Sequence, residues 1–186
     1  MSDYHRLYIP GGSYFFTIVS EQRQPILTDP RVRAALRKAI ASVRRKHPFK
    51  IIGMVLLPDH LHMIWTLPEG DNDFPLRMRL LKTHTTKACA GWLNPEPPMN
   101  QRRRKKHHGS LWQHRYWEHA LRTGEDFNHH LDYLHWNPVK HGLVQRVVEW
   151  PWSSFHRYVA AGTLPADWCA SPDVAGYGVA RLTRPT

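Results

Sequence analysis

Cysteine is almost missing from this sequence: Cys89 and Cys169 are its only two, in no C-x-x-C arrangement. That count excludes a disulfide framework and a thiolate zinc site. No run approaches the roughly 18 apolar residues that a membrane-spanning helix needs. The opening MSDYHRLY is polar and lacks the apolar core of a signal peptide, so a reduced, cytoplasmic protein without a membrane is expected. Acidic residues are scarce as well: 15 Asp and Glu face 26 Lys and Arg, a net charge of +11. A basic surplus of that size on 186 residues attracts polyanions, of which nucleic acid is the commonest. No internal repeat is visible, and the length suits a single domain with one good core.

Periodicity supplies the elements. SYFFTIVS (13–20) is rich in aromatic and β-branched residues and reads as a strand. Asp29 as N-cap and Pro30 in the first turn open a helix whose buried stripe is Val32, Ala35, Leu36, Ala39, Ile40 and Val43. The runs IIGMVLL and HLHMIWTL, parted by Pro58 and Asp59, form a tight hairpin or one long bent strand. A second helix is expected over 75–93, burying Leu76, Leu80, Leu81, Ala88 and Trp92. Residues 94–110 carry prolines and a basic cluster without periodicity and read as a loop. LWQHRYWEHALR (111–122) returns to strand composition. Thr123 and Asp126 then stand at capping-box spacing before a helix expected to close at Pro138. The order β, α, β, β, α, β, α predicts an α+β domain over 1–169, with helices packed on one face of an antiparallel, ferredoxin-like sheet. Residues 170–186 read as a flexible tail.

Within LPDHLHMIW, His60 and His62 are two residues apart, so a strand sends both imidazoles to one face. With 14 histidines in the chain, about one such pair arises by chance, and the spacing alone favours a wet sheet face over a metal site. Its place inside an apolar run argues for a purpose, because a polar pair on a buried face is costly. On the 123–137 helix, Phe127, Leu131 and Leu134 form the sheet-facing stripe, with His130, Tyr133 and Asn137 along its flank. Taken alone, Tyr133 there reads as the edge of a core, its hydroxyl reaching water, and Asn137 as a C-terminal cap.

PDHLHMIW, LWQHRYWEHALR, YLHWNPVKHGLV and EWPWSSFHRY, in this order and spacing, resemble the REP-associated tyrosine transposases over roughly residues 4 to 160. These belong to the single-tyrosine HUH endonucleases. The resemblance implies the HUH endonuclease fold, with His60 and His62 as metal ligands and Leu61 the hydrophobic residue between them. It implies Tyr133 as nucleophile and Mg²⁺ or Mn²⁺ as the metal, although imidazoles suit Zn²⁺ and Mn²⁺ better than Mg²⁺. Asn137 falls where the wider superfamily places a Gln that completes the metal site. Asn is shorter, and Pro138 disfavours a helical residue before it. Asp59 either supports His60 from behind or only turns the chain, and His130 is a further supporting residue for the site.

The expected activity is metal-dependent cleavage and transfer of single-stranded DNA at repetitive palindromic hairpins, through a 5′-phosphotyrosine. The alternatives are a hairpin-binding protein of the same fold that does not cut, and an RNA nuclease using water. A monomer is expected, as in the REP-associated group. Arg77, Arg79 and Lys82 on the second helix, with Arg102, Arg103, Arg104, Lys105 and Lys106 on the loop, are expected to hold phosphates. Trp112, Trp117 and Trp136 are available to stack on unpaired bases.

Overall fold

A computed structural model of the chain describes residues 6–91 and 111–169. The basic run Arg102, Arg103, Arg104, Lys105 and Lys106, Trp92 and the tail lie outside them. Four strands, β1 (Ser13–Val19), β2 (Lys50–Leu56), β3 (His60–Thr66) and β4 (Trp117–Leu121), form one antiparallel sheet in the order β2-β3-β1-β4. The two runs around Pro58 and Asp59 are therefore a hairpin. Helices α1 (Pro30–Lys46), α2 (Phe74–Cys89), α3 (Gly124–Lys140) and the short α4 (Phe155–Ala160) complete the α+β fold.

Local chemistry starts each long helix. Asp29 accepts the Arg31 amide at 2.8 Å, Asp73 the Leu76 amide at 3.0 Å and Thr123 the Asp126 amide at 3.1 Å, each satisfying a donor the helix cannot. The expected stripe of α1 is buried, with Ile40 partly so. In α2 the expected stripe is off by a fraction of a turn. Phe74, Arg77, Met78, Leu81, Thr85 and Cys89 are buried, whereas Ala88 is exposed.

Arg77 is the sharpest correction. It is 2% exposed and points inward, donating to both Asp71 carboxylate oxygens and to the carbonyls of Asp73, His47 and Pro48. A guanidinium is buried only when its donors are matched in this way, so Arg77 ties α2 to the end of α1 and has no donor left to offer a phosphate. Lys82 is also spent internally: its ammonium donates to the carbonyls of Gln113 (2.7 Å) and His114 (2.9 Å), and burial lowers its pKa to about 8. Arg79 is exposed.

The sheet has a core on each side. Tyr14, Phe16, Ile18, Leu61, Met63 and Trp65 face α1 and α2; Phe15, Val55, Ile64 and Leu121 face α3 through Leu134, with Phe127 and Leu131 beside it. The expectation of helices on one face holds for α1 and α2, while α3 covers the other. The reason lies in β1, whose neighbours Phe15 and Phe16 are both fully buried and demand cover on both sides.

Gly53 lets α3 approach. A Cβ there would lie 2.9 Å from Leu131 Cδ1 and 3.2 Å from Leu134 Cδ1, beside a register shift in β2. Gly53→Ala is expected to be mild, because leucine tips can move. Gly53→Val is expected to cost about 1–3 kcal/mol of stability by overpacking in urea unfolding, and to displace the helix that carries Tyr133.

Helix α3 also runs through Pro138, against expectation. The helix ends instead at Lys140, and Gly142 (φ +66°) turns the chain as the amides of His141, Gly142 and Leu143 close on the carbonyls of Asn137, Val139 and Pro138. The chain then returns along the outer edge of β2, pairing Leu56 N with Trp152 O and Ser154 N with Met54 O, which covers an otherwise open edge. Ser154 Oγ accepts from Met54 N at 2.9 Å and lies 3.0 Å from His135 Nε2, pinning α3 to that edge.

Burial lowers the His135 pKa to about 4. The folded state therefore prefers neutral His135, and the unfolded chain binds the extra proton between its ordinary value, about 6.5, and 4. Stability is expected to be full above pH 6.5 and to fall by about 2 kcal/mol from this group between pH 7 and 5. Denaturant unfolding at the two pH values checks this, and His135→Gln should flatten the slope.

Candidate functional site

The register of β3 sends His60, His62 and Ile64 to the α3 side of the sheet. Both imidazoles are buried, 5% and 3% exposed, and their ring centroids are 4.8 Å apart at 82°. Each Nδ1 is held from behind. Asp59 Oδ1 accepts from His60 Nδ1 at 2.6 Å and takes a second bond through Oδ2 from Arg23 Nη1 at 2.9 Å. His62 Nδ1 lies 2.9 Å from Thr17 Oγ1, its cross-strand partner. With Nδ1–H donating outward, each ring turns its Nε2 lone pair forward, the tautomer that a metal ligand needs.

The electrostatics agree. Burial, followed by the neighbouring His60, holds the His62 pKa well below its ordinary value, so this ring is neutral at pH 7. Burial acts to raise the Asp59 pKa, but the hydrogen bonds and charges of His60 and Arg23 prevail and hold it at about 2. Asp59 is thus an ionised support for His60 as well as the turn residue. Arg23 enters the site by an unusual route: Gln22 and Arg23 both adopt φ of 54°, fixed by Ser20, whose hydroxyl lies 2.7 Å from Gln24 O and 2.9 Å from Asp59 O.

The third wall is α3. The Tyr133 ring lies 5.7 Å from His62 and 6.1 Å from Phe15. Two turns later the His141 ring lies 5.1 Å from His60. Asn137, midway between them at i+4 spacing, therefore faces the histidine pair. Pro138 has not unwound it: Asn137 is helical and 0% exposed.

Three polar atoms here are buried without a hydrogen-bond partner: His62 Nε2, Asn137 Oδ1 and Asn137 Nδ2. Leaving such groups unpaired costs about 1–3 kcal/mol each, and natural cores seldom retain them without use. Two imidazole nitrogens and an amide oxygen are a donor set for a divalent cation, and the orphaned atoms fit one.

Four residues of the site escaped the sequence reading: Thr17, Arg23, Lys140 and His141. Lys140 places its ammonium 4.6 Å from the Tyr133 ring centroid, and His141 closes over His60. Lys140 was legible in principle: at i+7 it falls on the stripe of Tyr133, two turns on. His130 does not support the pair directly. It packs on the far side of Phe15 and bonds Asp126. Trp112 is buried in the core that faces α1 and α2, and Trp117 packs on Phe15 and His119.

The sequence matches the family profile described as IS200-like transposase over residues 10–135. It is 46% identical over 168 residues to the REP-associated tyrosine transposase of Escherichia coli K12, covering 90% of this chain and 91% of that protein. A Haemophilus influenzae relative named for the same group is 41% identical over 179 residues, covering 94% of this chain and 97% of its own. Among solved structures, a REP-associated tyrosine transposase bound to a REP hairpin superposes with a TM-score of 0.78 at 45% identity, spanning 92% of this chain and 93% of that one.

Proposed function

Because the chain belongs to the IS200-like transposases, in their REP-associated tyrosine branch, a family of DNA-cleaving enzymes, we propose that it cuts and rejoins single-stranded DNA beside palindromic hairpins with Tyr133 as nucleophile. The observation that carries this reading is the set of orphaned atoms, His62 Nε2 and the Asn137 amide, buried beside the Tyr133 ring. The hairpin in the related solved structure supports the substrate.

His60, His62 and Asn137 would hold Mg²⁺ or Mn²⁺, which supplies positive charge to the scissile phosphate and orients it. The remaining work belongs to the chain. The Tyr133 oxygen attacks phosphorus, forming a P–O bond as the bond to the 3′-oxygen breaks; the phenol gives up its proton and the leaving 3′-oxygen takes one up. The ester formed is a 5′-phosphotyrosine. It conserves the bond, so a 3′-hydroxyl can attack it in reverse and rejoin the strand. Lys140, against the tyrosine ring, adds positive charge where the phosphate must approach. Arg79 and the basic run Arg102–Lys106 are the phosphate contacts of this reading. A monomer in the cytoplasm goes with this reading, and the approach of Tyr133 to the histidine pair within one chain supports the monomer. No helix among the described residues is long and apolar enough to cross a membrane.

Incubation with end-labelled hairpin oligonucleotides and Mn²⁺, followed by denaturing electrophoresis, tests this. A metal-dependent protein–DNA band that survives denaturation is expected. Tight hairpin binding with no band in either metal would favour the non-cutting binder, and cleavage without a band would favour water as nucleophile.

A further inference from the structure

A second group of ligating side chains lies on the same sheet face, on the other side of Phe15. Its ring touches His62 at 5.1 Å and His130 at 5.0 Å, and so separates the two clusters. His119 Nε2 is 3.0 Å from both carboxylate oxygens of Asp126, and His130 Nδ1 is 3.0 Å from Asp126 Oδ1. One ligand atom from each residue falls within 4.8 Å of the others. Adjacent ligands held about 2.1 Å from one ion are separated by about 3–3.4 Å, and the carboxylate of Asp126 already stands about that far from each imidazole.

The geometry is also braced. The two imidazoles stack at 4.7 Å and 18°, with Trp117 stacked outside His119 at 5.9 Å and 5° and Phe15 against His130. Little side-chain freedom remains to be lost on binding. Burial lowers the His130 pKa, leaving a neutral ring at pH 7; burial raises that of Asp126, but its bonds to His119 and the Arg122 amide prevail and keep it ionised. His119, 34% exposed, leaves a path for an ion.

We propose that His119, Asp126 and His130 form a second divalent-metal site, of the two-imidazole, one-carboxylate type that takes Zn²⁺ or Co²⁺, clasping the first turns of α3 to β4. Metal binding shifts the ring protons away from the ligating nitrogens, replacing the bonds to Asp126 with bonds to the ion. The clasp sits seven residues, two helical turns, before Tyr133 and fixes the base of the helix that carries it. It stands independently of any ion at His60 and His62.

Titration with Co²⁺, read by its visible absorption and by isothermal calorimetry, tests the site. The His60→Ala/His62→Ala double variant is expected to keep about one equivalent of Co²⁺. Adding His119→Ala or, separately, the isosteric Asp126→Asn to that background should weaken this binding at least tenfold, with circular dichroism confirming the fold. A double variant that binds no Co²⁺, or binding that survives both further substitutions unchanged, would overturn the proposal. If instead the double variant binds as many ions as the unsubstituted chain, the ion assigned to His60 and His62 is the one that fails.

Discussion

Tyr133→Phe is expected to abolish the covalent protein–DNA band and reduce strand cutting by more than about a thousandfold, because no other group would occupy the nucleophile's place. The substitution removes a single oxygen. The ring contacts to His62, Phe15 and Lys140 remain, so stability should change by less than about 1 kcal/mol. Hairpin affinity should stay within about twofold, because the proposed phosphate contacts lie elsewhere. Measured together on one preparation, band, stability and affinity separate loss of the nucleophile from loss of the fold.

His62→Leu is expected to reduce metal-dependent cutting by about a hundredfold or more while leaving the metal-free protein as stable as before, or more so by about 1 kcal/mol. The ring is buried, with Nε2 unpartnered and its other nitrogen held by Thr17 and the Phe16 backbone. Leucine of similar bulk removes the orphaned nitrogen at the cost of the bonds to Thr17 and the Phe16 backbone, and apolar replacement of buried polar groups is often neutral or favourable. Urea unfolding without metal reads the gain. With Mn²⁺ present the order should reverse, since only a chain that binds the ion gains stability from it. A residue that opposes stability and is needed for activity is what a functional site predicts.

How much of this was legible in the sequence varies with the physics involved. The histidine pair was legible because strand alternation is a local rule, and β3 obeys it: His60 and His62 share a face with Ile64. The stripe of α3 was legible for the same reason. Phe127, Leu131 and Leu134 meet the sheet, with Tyr133 and Asn137 on their flank.

The misreadings came from non-local partners. Arg77 looks like a surface cation until Asp71 and the carbonyls of His47 and Pro48 converge on it. Counting it as exposed also rotated the expected buried stripe of α2, whose inner positions Thr85 and Cys89 carry little apolar contrast. The second side of the sheet could have been foreseen, since Phe15 beside Phe16 in one strand leaves no face for water. Pro138 shows a preference overridden by context: the turn closed by Gly142 and the burial of Leu134, His135 and Asn137 hold the helix through the proline.

The central claim is a bond between one tyrosine and DNA, and trypsin offers a direct view of it. Cleavage after Arg122 and Lys140 releases the peptide 123–140, in which Tyr133 is the only tyrosine. After reaction with a hairpin oligonucleotide and Mn²⁺, followed by nuclease trimming, mass spectrometry of that peptide should show the added mass of a nucleotide, localised by fragmentation to Tyr133. An unmodified 123–140 peptide alongside cleaved DNA, or a nucleotide carried by any other residue, would contradict the account.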